Sequence, residues 1–177
     1  MARFIALLRG INVGGHRKLP MADLRSLAEG LGLAGVRTYV ASGNLVFSAD
    51  GQDAGTLEVR LEGAIAERFG FAVDVIVREA DHWARLAAGN PFPEQSAATP
   101  NYVMMTIGKR PATDADVEAL RPRAAADERV ERVGEALWFW FGAGSGRSKL
   151  AAAPLRDVWT ARNWRTVQTI GTLLEAQ

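Results

Sequence analysis

Apolar residues recur along this chain with two different periods, and the switches between them outline its elements. Residues 4–8, FIALL, form a short unbroken apolar run closed by Arg9-Gly10. Such a run predicts a strand covered on both faces. Residues 21–31 place Leu24, Leu27, Ala28 and Leu31 at i, i+3, i+4 and i+7, the buried stripe of an amphipathic helix. Pro20 suits its first turn and Gly32 its end. Residues 36–41 alternate and pass through Ser42-Gly43-Asn44 into 45–48, which predicts two strands joined by a tight connection. A second helix is expected over 57–69, with Leu57, Leu61, Ala64, Ile65 and Phe69 on one side and Gly70 as its cap. A fourth strand is expected over 71–78, with Phe71, Val73, Val75 and Val77 facing one way.

This order, β-α-β-β-α-β, is that of the ferredoxin-like motif. Right-handed crossover makes strands one and two parallel, with strand three between them and antiparallel to both. The loop over 9–18 and the hairpin at 42–44 then share one end of the sheet.

A connecting helix is expected over 81–88, followed by the rigid Asn90-Pro91-Phe92-Pro93 and a polar linker over 94–100. The pattern then restarts. Residues 102–107 read as a strand, 114–120 as a helix, and 129–133 and 136–141 as strands around Gly134-Glu135. A glycine-rich loop covers 142–148, a helical turn 149–153 and a long helix 161–174. The expected fold is therefore α+β. A first ferredoxin-like (alpha-beta plait) module covers 1–79 and a connector 80–100. A second module over 101–177 reads βαββα, one strand short, and closes with the C-terminal helix.

Composition narrows the function classes. Hydrophobic residues make up 48% and charged residues 23% of the 177, the balance of a soluble domain. The chain has no cysteine, which excludes disulfides, thiolate nucleophiles and Cys-based metal sites. Its two histidines, His16 and His82, stand in no carboxylate cluster, so neither a metal nor a cofactor is expected. No apolar run approaches a membrane span, and the first is too short for a secretory signal. A cytoplasmic protein without membrane contact is expected.

The net charge is only +1, but it is unevenly distributed. Residues 1–48 carry a net +4, residues 49–141 a net −6 and residues 142–177 a net +3. Two basic ends that met would focus anions; segregation on a solvated surface is the alternative.

The candidate chemistry lies in those ends. Residues 9–18, RGINVGGHRK, hold Arg9, Arg17 and Lys18, with Asn12 and glycines at 10, 14 and 15. Glycines let backbone N–H groups approach an anion, and the helix start near Pro20 adds partial positive charge. The spacing is neither a P-loop nor a dinucleotide fingerprint. The plain alternative is a turn with solvated cations. Residues 142–149, GAGSGRSK, repeat the composition with Arg147, Ser148 and Lys149, against the alternative of a flexible surface loop. Thr160 is the expected N-cap of the last helix. Arg162 and Asn163 would then sit in its first turn, where a cation opposes the helix dipole and implies an anionic partner, a ligand or a carboxylate such as Asp157. Trp164, Val167, Ile170 and Leu174 form its core stripe.

The motifs LLRGINVGG with LPMADLR, TYVASGNLVF, NPFPE, GRSKL and TARNW, in this order, resemble the bacterial domain-of-unknown-function family numbered 1697. The resemblance implies two alpha-beta plait modules and no established activity. It also implies that Arg9, Asn12, Gly14, Gly15, Ser42, Gly43, Asn44, Gly146, Arg147, Ser148, Lys149, Arg162 and Asn163 belong to family motifs.

Three functional readings follow. In the first, an anionic, phosphorylated small molecule binds between the modules. Arg9, Arg147, Lys149 and Arg162 hold the anion, Asn12, Ser42 and Asn44 orient it, and any chemistry rests on electrostatics and positioning. In the second, basic loops bind nucleic acid. SGNLVFSA matches the RNA-binding signature poorly, and Phe4 and Phe47 are the only aromatics of the central strands. In the third, the protein is an interaction module whose polar motifs are structural.

Overall fold

Strand β1, Ala2–Leu8, lies inside a four-stranded sheet because both of its faces are apolar and buried. The computed structural model describes residues 1–177. Around β1 the chain forms α1 (Met21–Gly30), β2 (Ala34–Tyr39), β3 (Asn44–Ala49), α2 (Ala54–Phe69) and β4 (Val75–Glu79). The sheet order is β2-β3-β1-β4, and every neighbouring pair is antiparallel. Strands β1 and β2 are thus parallel with β3 between them. Phe4, Ala6 and Leu8 of β1 and Leu45 and Phe47 of β3 pack under Leu24, Leu27, Leu57, Leu61 and Ile65 of the two helices.

Strand β4 begins at Val75, four residues later than expected, although Val73 is buried and Phe71 packs against the same core. It is an edge strand, and α2 protects it. Glu62 and Glu58 accept hydrogen bonds from the backbone N–H groups of Val75 and Val77, each at 2.9 Å. Donors that would otherwise invite another chain are occupied. Helix α2 also starts earlier than the apolar stripe, because Asp53 caps it through the Thr56 N–H at 2.8 Å.

The second sheet is built from β5 (Val103–Gly108), β6 (Glu128–Val133), β7 (Ala136–Phe141) and β8 (Trp159–Asn163), in the order β6-β7-β5-β8. Helices α3 (Ala80–Ala88) and α4 (Pro93–Ala98) precede it, α5 (Asp114–Leu120) follows β5 and α6 (Trp164–Glu175) follows β8. Two expectations are corrected here. Residues 94–100 are not all linker, since Pro93 starts a short helix. The second sheet does not lack a strand. Trp159–Asn163 supplies it, pairing along β5, and the final helix begins at Trp164, not at residue 161. Thr160 is therefore a strand residue. The cap is Asn163, whose Oδ1 accepts from the Thr166 N–H at 2.9 Å.

Val117, Leu120, Leu137, Phe139 and Phe141 form the core beneath α5, and Trp138 is buried on the other face of β7, 5.9 Å from the Trp164 ring. The aromatic run 138–141 is thus a central strand packed on both faces.

The chain divides into two units, Met1–Trp83 with Ile170–Gln177, and Ala84–Thr169. The last residues are fastened to the first sheet. Arg3 donates to the Leu174 carbonyl at 2.7 Å. Gln177 accepts from the Ser48 hydroxyl at 3.0 Å and donates to the Gly35 carbonyl at 2.7 Å. That carbonyl lies where the β2–β3 register shifts. No helix is long and apolar enough to cross a membrane.

Candidate functional site

The loop after β1 and the β2–β3 hairpin meet at one end of the first sheet. The Leu8 N–H donates to the Gly43 carbonyl at 2.8 Å. Gly43 has φ of +87°, and a Cβ there would lie 2.7 Å from Ile11 Cδ1 and 2.8 Å from Leu8 Cβ. Only glycine gives both that backbone and that approach.

The loop itself is a small hairpin. The Asn12 N–H donates to the Arg17 carbonyl and the His16 N–H to the Val13 carbonyl. Gly14 and Gly15, at φ of +58° and +77°, have the left-handed geometry that a type I′ turn needs at both central positions. Their glycine character is accounted for by the turn. Asn12, at φ of +53°, locks the base. Its Nδ2 donates to the Leu19 and Ala41 carbonyls at 2.9 and 2.7 Å, and its Oδ1 accepts from the Leu19 N–H at 2.8 Å.

What the loop presents outward is charge. Arg9, Ser42, His16, Arg17 and Lys18 are exposed. A Cβ on Gly10 would meet Arg17 Nη1 at 3.6 Å, so the Arg17 guanidinium folds back to the residue beside Arg9. Asp74 faces Arg9 at 3.5 Å, both side chains about half exposed at 51% and 44%. Such a pair is worth about 0–1 kcal/mol and leaves Arg9 open to a stronger anion. Val13 and Val40 stand exposed nearby in sequence to the Asn12–Ala41 link, and Val40 holds φ of +51°. A β-branched residue there is strained, and strain of this kind concentrates at functional sites. Asn44 is fully buried and donates to the Tyr39 carbonyl at 2.8 Å; its place is in the hairpin's framework.

The remaining predicted residues belong to the second unit. Arg147 and Lys149 are exposed on the loop after β7. Ser148 Oγ accepts from the Ala151 N–H at 3.1 Å, closing a turn. Arg162 is 7% exposed and donates to Thr160 Oγ1 and the Ala161 carbonyl. Burial pushes its pKa down to about 10. Asn163 is the helix cap described above. No group of three or more His, Asp or Glu side chains is arranged to hold a metal ion. Phe4 and Phe47 stack on each other at 5.7 Å inside the core, so neither offers a platform for a base.

Sequence reasoning missed a cluster in the second unit. Arg110 grips Asp116 with two bonds of 2.8 Å and Asp157 at 2.7 Å, and lies 5.0 Å over the Trp159 ring. The Arg110 hydrogen bonds hold the Asp116 carboxyl well below the usual range. Thr113-x-x-Asp116 is a capping box visible in the sequence; the reach of Arg110 across to Asp157 is not.

A family model described as a protein of unknown function, DUF1697, matches residues 1–138. The chain belongs to DUF1697. The matched span includes the basic loop and the hairpin, while the GRSKL and TARNW motifs lie beyond it. Among solved structures, this DUF1697 member is similar to the conserved bacterial protein SP0830 from Streptococcus pneumoniae. The TM-score is 0.75 at 24% identity, over 98% of each chain. At that identity the likeness shows the fold alone. No curated protein matches the chain.

Proposed function

We propose that this DUF1697 protein binds a phosphorylated or otherwise anionic small molecule through the side chains of its first loop, on a scaffold of two ferredoxin-like modules. The observation that carries this reading is the placement of Arg17 over Gly10, next to Arg9, with a single weakly held carboxylate, Asp74, between them and neutrality. Like charges brought together on a stapled hairpin cost stability unless an anion joins them. Lys18 adds a third cation, and Ser42 lies on the adjoining hairpin. The glycines shape the turn, Asn12 holds it, and the cations make the contact. On the second unit, Arg147 and Lys149 offer the same chemistry from a turn closed by Ser148.

The test is a thermal-shift screen at low salt with inorganic phosphate, nucleotides, sugar phosphates, dicarboxylates and short oligonucleotides. A ligand at about a hundred times its dissociation constant stabilises by about 2.7 kcal/mol, a rise of roughly 5–10 °C at this size. A hit abolished by Arg9→Ala/Arg17→Ala supports the reading. A response confined to oligonucleotides and falling steeply with salt replaces it with phosphate-backbone binding. No response to any anion overturns it.

A further inference from the structure

In the second unit a groove of about 670 Å³ runs between α5 with its following turn, Arg121–Arg123, and the segment 153–156. Ala115, Ala119, Leu120, Pro154 and Leu155 line it with apolar surface. Three arginines also line it: Arg110, Arg123 and Arg156. They are not equivalent. Arg110 is saturated by Asp116 and Asp157, which pairs the one carboxylate in the lining and leaves the three-group network one net negative charge, against the two positive charges of Arg123 and Arg156. Arg123 and Arg156 are exposed, and their guanidiniums make no ion pair.

The network beneath the groove also fixes its far wall. Asp157 sits at φ of +71°, held there by Arg110, and the Arg156 carbonyl accepts a hydrogen bond from the Trp159 indole. The segment carrying Arg156 is therefore fastened immediately after its Cα, through its own carbonyl and through the next residue. The volume falls within the range of small-ligand sites. The apolar walls offer a surface for a ligand's apolar body, and the two unpaired cations stand exposed at its side.

We propose that this groove is a second binding site, for a small amphipathic anion whose apolar body lies along Ala119 and Leu155 and whose carboxylate or phosphate head is held by Arg123 and Arg156. It belongs to the second unit and does not depend on the ligand of the first-unit loop.

The test is an amide-resolved NMR titration of the full chain with octanoate, octyl phosphate and octyltrimethylammonium, each below its micelle concentration. The expected result is that the two anions shift amides within 113–123 and 153–157 and the cation does not. Comparing octanoate with octyl phosphate identifies the head group. Arg123→Gln/Arg156→Gln, which keeps most of both stems, should weaken anion binding about tenfold or more with an unchanged melting temperature. Arg9→Ala should leave it unaltered. Equal shifts from the cation, anion shifts confined to other residues, or full-strength binding by the double variant would overturn the proposal.

Discussion

The side-chain amide of Asn12 donates a 2.7 Å hydrogen bond to the carbonyl of Ala41, twenty-nine residues away. With its two bonds to Leu19, this makes one side chain the fastening between the basic loop, the start of α1 and the β2–β3 hairpin.

Asn12→Ala should therefore destabilise the protein by about 2–4 kcal/mol, from three lost hydrogen bonds and a left-handed backbone that alanine disfavours. Chemical denaturation measures this. Asn12→Asp should be no better, because a carboxylate cannot donate to two carbonyls. A loss below about 0.5 kcal/mol would show that the loop closes without the clamp.

Val40 makes the opposite prediction. It is exposed and strained at φ of +51°. Val40→Asn should stabilise by about 1 kcal/mol, since asparagine tolerates this region. A thermal melt should rise by roughly 2–4 °C. Ligand binding that falls in the same variant would tie the strain to function.

Gly43→Ala should be among the most damaging single-methyl additions in the chain. The new Cβ would overlap Ile11 and Leu8 from a backbone at φ of +87°. The expected loss is about 2–4 kcal/mol, read by denaturation. Gly146→Ala, where a Cβ meets nothing within 4 Å, is the control and should be near neutral.

Acid sensitivity should run through Asp116. Its folded pKa is depressed from the ordinary 3.8, chiefly by hydrogen bonds from Arg110. A depressed carboxylate contributes stability that is present above its unfolded pKa and lost as pH falls through the folded one. Stability should thus decline as pH drops below about 4. Asp116→Asn should lower stability at pH 7 and flatten that acid limb. Parallel acid limbs in the two proteins would place the dependence elsewhere.

The first sheet was legible because its signals are local and strong: an apolar run in residues 4–8, clean helical stripes at 24–31 and 57–69, and a glycine hairpin between alternating strands. The end of the second sheet was not. Ala161 to Leu174 can be read with one helical period, and only pairing with β5 shows that 159–163 is extended. The candidate residues divide for a related reason. A polar loop residue looks the same in sequence whether it bonds backbone or ligand, so Asn12, Asn44, Ser148 and Asn163 gave no sign of their framework bonds. Asp74 lies sixty-five residues from Arg9, and Asp157 forty-seven from Arg110; such pairings depend on the fold and leave no local pattern.

The hydrogen bonds from Arg3 to Leu174 and from Gln177 to Gly35 and Ser48 have a consequence for biosynthesis. The first unit is encoded at both extremes of this sequence, so a ribosome completes it only after translating the whole second unit. Until then the nascent first sheet exposes the bulged edge at Gly35. A fragment ending near Trp83 should reproduce that unfinished state, while the octapeptide 170–177 supplied separately should bind it, making the last step of assembly observable in trans.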